Sequence, residues 1–262
     1  MSRMMTALVL ISMALSSVAW AQDTPTITIP GVEQIIPIDI QVLSLNDTKV
    51  TDSGIGQLAA LKSLFSLSLG DTNVTDAGVK ELAARKTLTS LSIGSTKVTD
   101  TGIKELATLQ NLSNLDLSGT QVTNAGMREL AALKSLTVLD LTGTKVSDLG
   151  LKEVAVLKSL TRLHLGDTNV TDTGMKELAV LKSLTTLDVC FTKLTDAGLK
   201  ELAALKSVTS LDLSGTQVTD KGVKKLAAAL TSLTWLSLSN TQVTDACVKE
   251  LRAKLPKCKI YN

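Results

Sequence analysis

A 24-residue unit, LxxLxLxxTxVTDAGxKELAxLKS, recurs through most of this chain and constrains its fold more than any other feature. The clearest copy, Leu112 to Ser135, reads LSNLDLSGTQVTNAGMRELAALKS. Its central L-x-L recurs at Leu43/Leu45, Leu67/Leu69, Leu91/Ile93, Leu115/Leu117, Leu139/Leu141, Leu163/Leu165, Leu187/Val189, Leu211/Leu213 and Leu236/Leu238. Each step is 24 residues except the last, which is 25, with the extra residue in Ala227-Ala228-Ala229. A fixed period of this length specifies a solenoid, because one such unit cannot bury its apolar face alone and must stack on its neighbours.

The pattern inside a unit says how it folds. LxxLxL alternates, so both residues of L-x-L enter the core and the one between them faces out. The spacing predicts a five-residue strand, with successive strands pairing in parallel into one sheet. A Thr follows in every copy, from Thr48 through Thr120 to Thr241. Its hydroxyl both donates and accepts, so this column is expected to satisfy backbone groups where the chain leaves the sheet. Val-Thr-Asp then opens a helix of two to three turns, with the Asp expected to cap that helix's own free N–H groups. Val79, Leu82 and Ala83 supply its core face, and pairs such as Lys80-Glu81 supply its solvated side. The result is an α/β solenoid with a parallel sheet on one side and short helices on the other.

The ends depart from the repeat. Residues 1–21 read as a secretory signal: Arg3 is followed by an apolar stretch of roughly 15 residues, short of the ~20 a span needs, and then by Ala19-Trp20-Ala21. No further apolar run of spanning length occurs. Residues 22–39, with Pro25, Pro30 and Pro37, are expected to form an N-terminal cap on a repeat domain covering 40–262. A C-terminal cap is expected from about Leu251. There Cys258 and Ile260 align with L-x-L as a tenth strand, and Pro256 with its neighbouring charges would stop further strand addition. Cys247 and Cys258 are close enough in sequence for a disulfide in an oxidising compartment, with burial as two small core residues the alternative.

The phrase LxxLxLxxTxVTDAGxKELAxL resembles the ribonuclease-inhibitor type of leucine-rich repeat in its compact bacterial form, with T-x-V-T-D-A-G in place of N-x-L-T-D-A-G. The resemblance runs over residues 40–262. It implies a horseshoe with the sheet on its concave face, helices on its convex side, and binding of other proteins on the concave face. Similar repeats serve as substrate-recognition arms of F-box proteins, but this sequence shows no F-box pattern.

Composition narrows the partners. The 27 basic and 25 acidic residues nearly cancel, which gives no electrostatic argument for nucleic acid or an anionic membrane. Aromatics make up 2% of the chain, too few for base-stacking platforms. No nucleophile motif, phosphate loop or zinc-type Cys/His cluster is present, so neither cofactor nor catalysis is expected. What varies between copies is the outward set. The residue inside L-x-L is Ser44, Ser68 and Ser92, then Asp116, Asp140, His164, Asp188 and Asp212, then Ser237. Flanking positions add Asn114, Arg162 and Trp235, and Cys190 and Phe191 follow one strand. These residues are the candidate partner-binding set, offering charge complementarity and aromatic anchors to a protein or peptide. Drift on a solvated face, a regular structural component of the cell envelope, and a metal- or carbohydrate-processing acidic row are the competing readings. Against the last, Asp140 and Asp188 would start nearly ~10 Å apart across His164. A row of similar acids also offers no differentiated acid and nucleophile. Asp140 and Asp188 are expected to raise the pKa of His164.

Overall fold

The computed structural model describes residues 25–262. The expected export signal at 1–21 lies outside the described residues. Strands β1 (Thr26–Thr28) and β2 (Ile35–Pro37) form a small antiparallel pair. Ten further strands form one parallel sheet in strict chain order. They are β3 (Val42–Ser44), β4 (Ser66–Ser68), β5 (Ser90–Ser92), β6 (Asn114–Asp116), β7 (Val138–Asp140), β8 (Arg162–His164), β9 (Thr186–Asp188), β10 (Ser210–Asp212), β11 (Trp235–Ser237) and β12 (Lys259–Tyr261). Between consecutive strands run α1 (Asp52–Gln57), α2 (Asp76–Leu82), α3 (Asp100–Leu106), α4 (Asn124–Leu130), α5 (Asp148–Val154), α6 (Asp172–Leu178), α7 (Asp196–Leu202), α8 (Asp220–Ala229) and α9 (Asp245–Lys254).

Each strand is three residues long rather than five. Pairing between units nevertheless continues past the strand as a turn: the Leu45 N–H donates to the Ser68 carbonyl at 2.8 Å and the Asp47 N–H to the Gly70 carbonyl at 3.0 Å. The register puts Leu43 opposite Leu67, Leu115 opposite Leu139 and Leu187 opposite Leu211. Leucine therefore stacks on leucine, and every outward residue stands beside its homologue, about 4.8 Å away. In the unit Leu112–Ser135, the residues Leu112, Leu115, Leu117, Val122, Met127, Leu130 and Leu133 are all buried. Each such side chain contributes roughly 1.5–3 kcal/mol, most of it available only when the next unit covers the layer.

The Thr column does what its chemistry predicts. Thr72, Thr96, Thr120 and Thr216 each donate the hydroxyl to the carbonyl three residues back at 2.6 Å, and all four are buried. The bond closes the turn out of the sheet, and at Leu117 and Leu213 the same carbonyl also accepts the Thr120 and Thr216 N–H groups at 3.2 Å.

The Asp of each unit behaves differently from its expected role. The preceding Thr is the N-cap, and Thr75, Thr99 and Thr123 accept the N–H two residues on. The Asp instead reaches into the next unit. Asp100 Oδ1 accepts the N–H of Thr123 at 2.8 Å and of Gly126 at 2.9 Å, while Oδ2 accepts the Thr123 hydroxyl at 2.7 Å. The same bridge joins Asp52 to Thr75, Asp76 to Thr99, Asp148 to Thr171, Asp172 to Thr195, Asp196 to Thr219 and Asp220 to Thr244. The Thr hydroxyl already stands at the start of its own helix, so the carboxylate is free for the neighbouring helix start, where free N–H groups and the dipole favour it. Asn124 keeps the geometry by accepting from the Ser147 N–H and donating its amide to the Ser147 hydroxyl. The bridge also explains the Gly of the motif: a Cβ on Gly126 would lie 2.6 Å from Asp100 Oδ1.

Both ends depart from the regular unit. Ile29 and Ile36 of the β1–β2 hairpin join the core beside the first repeat. Internal helices such as α3 have seven residues, whereas α8 and α9 have ten. In the last strand Ile260, not Cys258, pairs with Leu236. The aligned pair Cys258/Ile260 therefore shifts by two. The longer α9 takes up chain before the strand, and the sheet keeps its regular 24-residue step from Leu236 to Ile260. Cys258 is buried just ahead of the strand, and Cys190, Cys247 and Cys258 are all free thiols. Ala83, expected on the helical core face, is the C-cap of α2 and only half-buried.

Candidate functional site

The in-register sheet sorts the outward residues into two rows. One holds Asn114, Val138, Arg162, Thr186, Ser210, Trp235 and Lys259. The other holds Asp116, Asp140, His164, Asp188, Asp212, Ser237 and Tyr261. The sequence-derived set Asn114, Asp116, Asp140, Arg162, His164, Asp188, Asp212 and Trp235 is thus brought onto one face across β6–β11. Cys190 and Phe191 lie at its margin, where the chain turns out of β9.

The acidic residues turn out to serve the backbone as well. Asp116, Asp140, Asp188 and Asp212 each accept the N–H of the residue two places on, at 2.8–2.9 Å. One oxygen of each carboxylate is therefore committed to the turn that follows the strand. Asp116 also accepts from the hydroxyls of Ser92 and Ser118, at 2.7 Å each. This part of the row is structural, a role that residue identity alone did not reveal.

His164 is the electrostatic centre of the face. Its Nδ1 stands 3.7 Å from Asp188 Oδ2, a separation held by charge attraction more than by a well-formed hydrogen bond. The interaction with Asp188 raises the imidazole pKa; burial lowers it, Asp140 raises it further and Arg162 opposes. The net direction is upward, as Asp140 and Asp188 imply. Burial works to raise the Asp188 carboxyl, but His164 and the hydrogen bonds from Cys190 outweigh it and hold it below the usual carboxylate range. Burial together with Asp188 pushes the Cys190 thiol up to about 12. It stays protonated at neutral pH, and its chemistry is that of a small packing group rather than a nucleophile.

Aromatic residues gather at one end of the face. Among the described residues they are Phe65, Phe191, Trp235 and Tyr261, and the last three all belong to the β9–β12 end. Trp235 and Tyr261 have ring centroids 5.9 Å apart at a tilt of 43°. Tyr261 stands on the same face beside Ser237, a placement that the expected alignment of Cys258 and Ile260 did not give it. Continuing the 24-residue step from Ser237 to Tyr261 would have found it. Phe191 is 60% exposed and has φ +52. The equivalent turn position holds Asp71, Ser95, Gly119, Asp167, Gly215 and Asn240 in other units. A bulky aromatic there is costly. Its ring lies over Gly215, where a Cβ would meet it.

The face has two shallow hollows. One of about 400 Å³ lies between His164, Asp188, Asp212, Thr186, Ser210 and Trp235. The other, about 190 Å³, lies among Asn114, Asp116, Val138, Asp140 and His164. His164 borders both. Among the described residues, no three His, Cys, Asp or Glu side chains converge as a metal site would require. No helix among them is long and apolar enough to cross a membrane.

With this architecture established, comparison with known proteins assigns the class. The leucine-rich-repeat family model matches residues 60–83, 86–107, 108–131, 132–155, 156–179, 180–203 and 204–227. These matches span more than half of the chain, which belongs to the leucine-rich-repeat family. Among solved structures it is similar to internalin C2 from Listeria monocytogenes, with 30% identity and a TM-score of 0.61 over 79% of this chain and 81% of that one. A search among curated proteins found no match.

Proposed function

We propose that this chain is an exported interaction scaffold that binds a protein or peptide ligand on the exposed, concave face of its sheet, without catalysis. Family membership supports the scaffold class. The observation that carries the reading is where the copies differ. From β3 to β5 the outward residues are Val42, Ser66, Ser90, Ser44, Ser68 and Ser92; from β6 to β12 they include four Asp, Arg162, His164, Trp235 and Tyr261. The core positions of the same units hardly change. Asp116, Asp140, Asp188 and Asp212 also bond the turn after the strand. The sheet and that turn nevertheless form with Ser in β3–β5, so folding does not demand the charged and aromatic residues. They supply the mixture of anchors and charges on which protein interfaces depend.

The test uses the chain's own alternatives. Asp140→Ser, Asp188→Ser and Trp235→Ser, combined, give this face the residues that β4, β5 and β10 already carry. Affinity capture from the cognate extracellular or envelope fraction should recover a specific partner with the wild type and lose it with the triple variant, at unchanged far-UV circular dichroism. A partner retained by the folded variant would instead favour a structural role of the regular repeat surface.

A further inference from the structure

We infer that the hollow between β9 and β11 is a seat for a single guanidinium side chain, an arginine presented by the bound protein segment. The inference rests on the proposed binding face and specifies its ligand. In the first outward row the small residues Thr186 and Ser210 stand between the large side chains of Arg162 and Trp235. That size difference creates the hollow of about 400 Å³, with Leu187 at its floor. Trp235 forms one wall and is buttressed from outside by Tyr261 at 5.9 Å. Asp188 and Asp212 occupy neighbouring positions on the opposite rim. Asp212 spends Oδ1 on the Ser214 N–H and hydroxyl, and no hydrogen bond among the described residues ends on its Oδ2.

A hollow with an aromatic wall and a carboxylate rim has a definite complement. A planar cation stacks on the indole face while its edge donates to carboxylate oxygens. Guanidinium does both at once; an ammonium gives only a point charge and lacks the fork. A neutral polar group gains neither the cation–π attraction nor a charge-assisted bond, and an anion is repelled by the rim. Arg162, the nearest cation in the first row, lies on the far side of Thr186 and does not line the hollow.

The full chain carrying Trp20→Phe reports on this seat directly, because its emission then comes from Trp235 alone. It is titrated with a capped pentapeptide bearing one central arginine and with a twin bearing citrulline, which keeps the shape and removes the charge. The arginine peptide should shift or quench the emission saturably and bind about ten-fold tighter than its twin. Asp212→Ser should remove that preference, and Glu81→Ser, on the solvated side of α2, should preserve it. Equal binding of the two peptides, no saturable response at millimolar peptide, or a preference that survives Asp212→Ser would each overturn the inference. A partner captured by the wild type and released by the triple variant, together with equal binding of both peptides, would overturn the guanidinium seat and leave the interaction face standing.

Discussion

At the scale of single residues, His164 and Phe191 make opposite demands on the fold. The folded-state pKa of His164 is raised above its ordinary value, with Asp188 the leading cause. Its stabilising contribution is therefore complete below the unfolded pKa of about 6.5 and disappears as pH rises through the folded value. Denaturant melts of the wild type and His164→Gln should accordingly diverge more at about pH 5 than at about pH 8. A larger difference at the alkaline end would contradict the Asp188 pairing. For a cationic ligand the sign reverses, since deprotonation of His164 removes a competing charge beside Asp188. Phe191 holds a left-handed backbone that suits Asn, Asp or Gly. Phe191→Asn should raise stability by about 1 kcal/mol as that strain is relieved while weakening partner binding, read by thermal melts and by affinity capture together. A variant both less stable and fully binding would show that the ring serves packing on Gly215 alone.

At the scale of elements, the Asp bridge between units gives the sharpest energetic prediction. Asp100→Ala removes three hydrogen bonds from the next helix start and should cost about 2–3 kcal/mol. Asp100→Asn should cost less than half as much, because Asn124 already shows how an amide serves the same place. Gly126→Ala is predicted to be severe in the wild type and milder in Asp100→Ala, since the atom it strikes is then gone. A double-mutant cycle measures that coupling directly. Thr120→Val with Thr144→Val should lower stability by about 1 kcal/mol at each site through loss of the turn-closing bond. Much of this was legible in the sequence. Alternation placed Leu115 and Leu117 inside, and the Thr chemistry predicted its bond. The partner of the Asp was not legible, because every unit carries the same helix start. Asp100 beside its own helix and Asp100 beside the next are the same pattern in a periodic sequence, and only three-dimensional stacking separates them. The acceptor role of Asp116, Asp140, Asp188 and Asp212 escaped for a related reason. The same turn is built with Ser in β3–β5, so the residue type does not announce the bond.

At the scale of the whole molecule, the number and order of units were readable from the period alone, and the irregular end was not. A ten-residue α8 follows from the extra residue among Ala227 to Ala229. The equal lengthening of α9 leaves no such mark, because a shorter link before β12 compensates for it. The two changes cancel, so the regular 24-residue step from Ser237 carries Tyr261 onto the face. It also makes the last strand a structural end: Ile260→Asp should expose the layer formed by Leu236, Leu251 and Leu255 and lower the cooperativity of thermal unfolding, whereas Lys259→Asp, on the outward row, should leave the transition intact.

The bridges from Asp52 to Thr75, from Asp76 to Thr99 and onward all point one way along the chain. From α2 onward each helix start is completed by an Asp, or at α5 by Asn124, that the ribosome has already made. A chain emerging residue by residue therefore meets its stabilising group in the unit behind it, never in one still to come. The array is built to be laid down from its beginning, like courses of brick. Fragments ending after any unit keep every such bond among their own residues, while fragments that begin late leave their first helix start unserved. A series of nascent-length truncations should consequently hold structure better when shortened from the C-terminus than when shortened by the same number of units from the N-terminus.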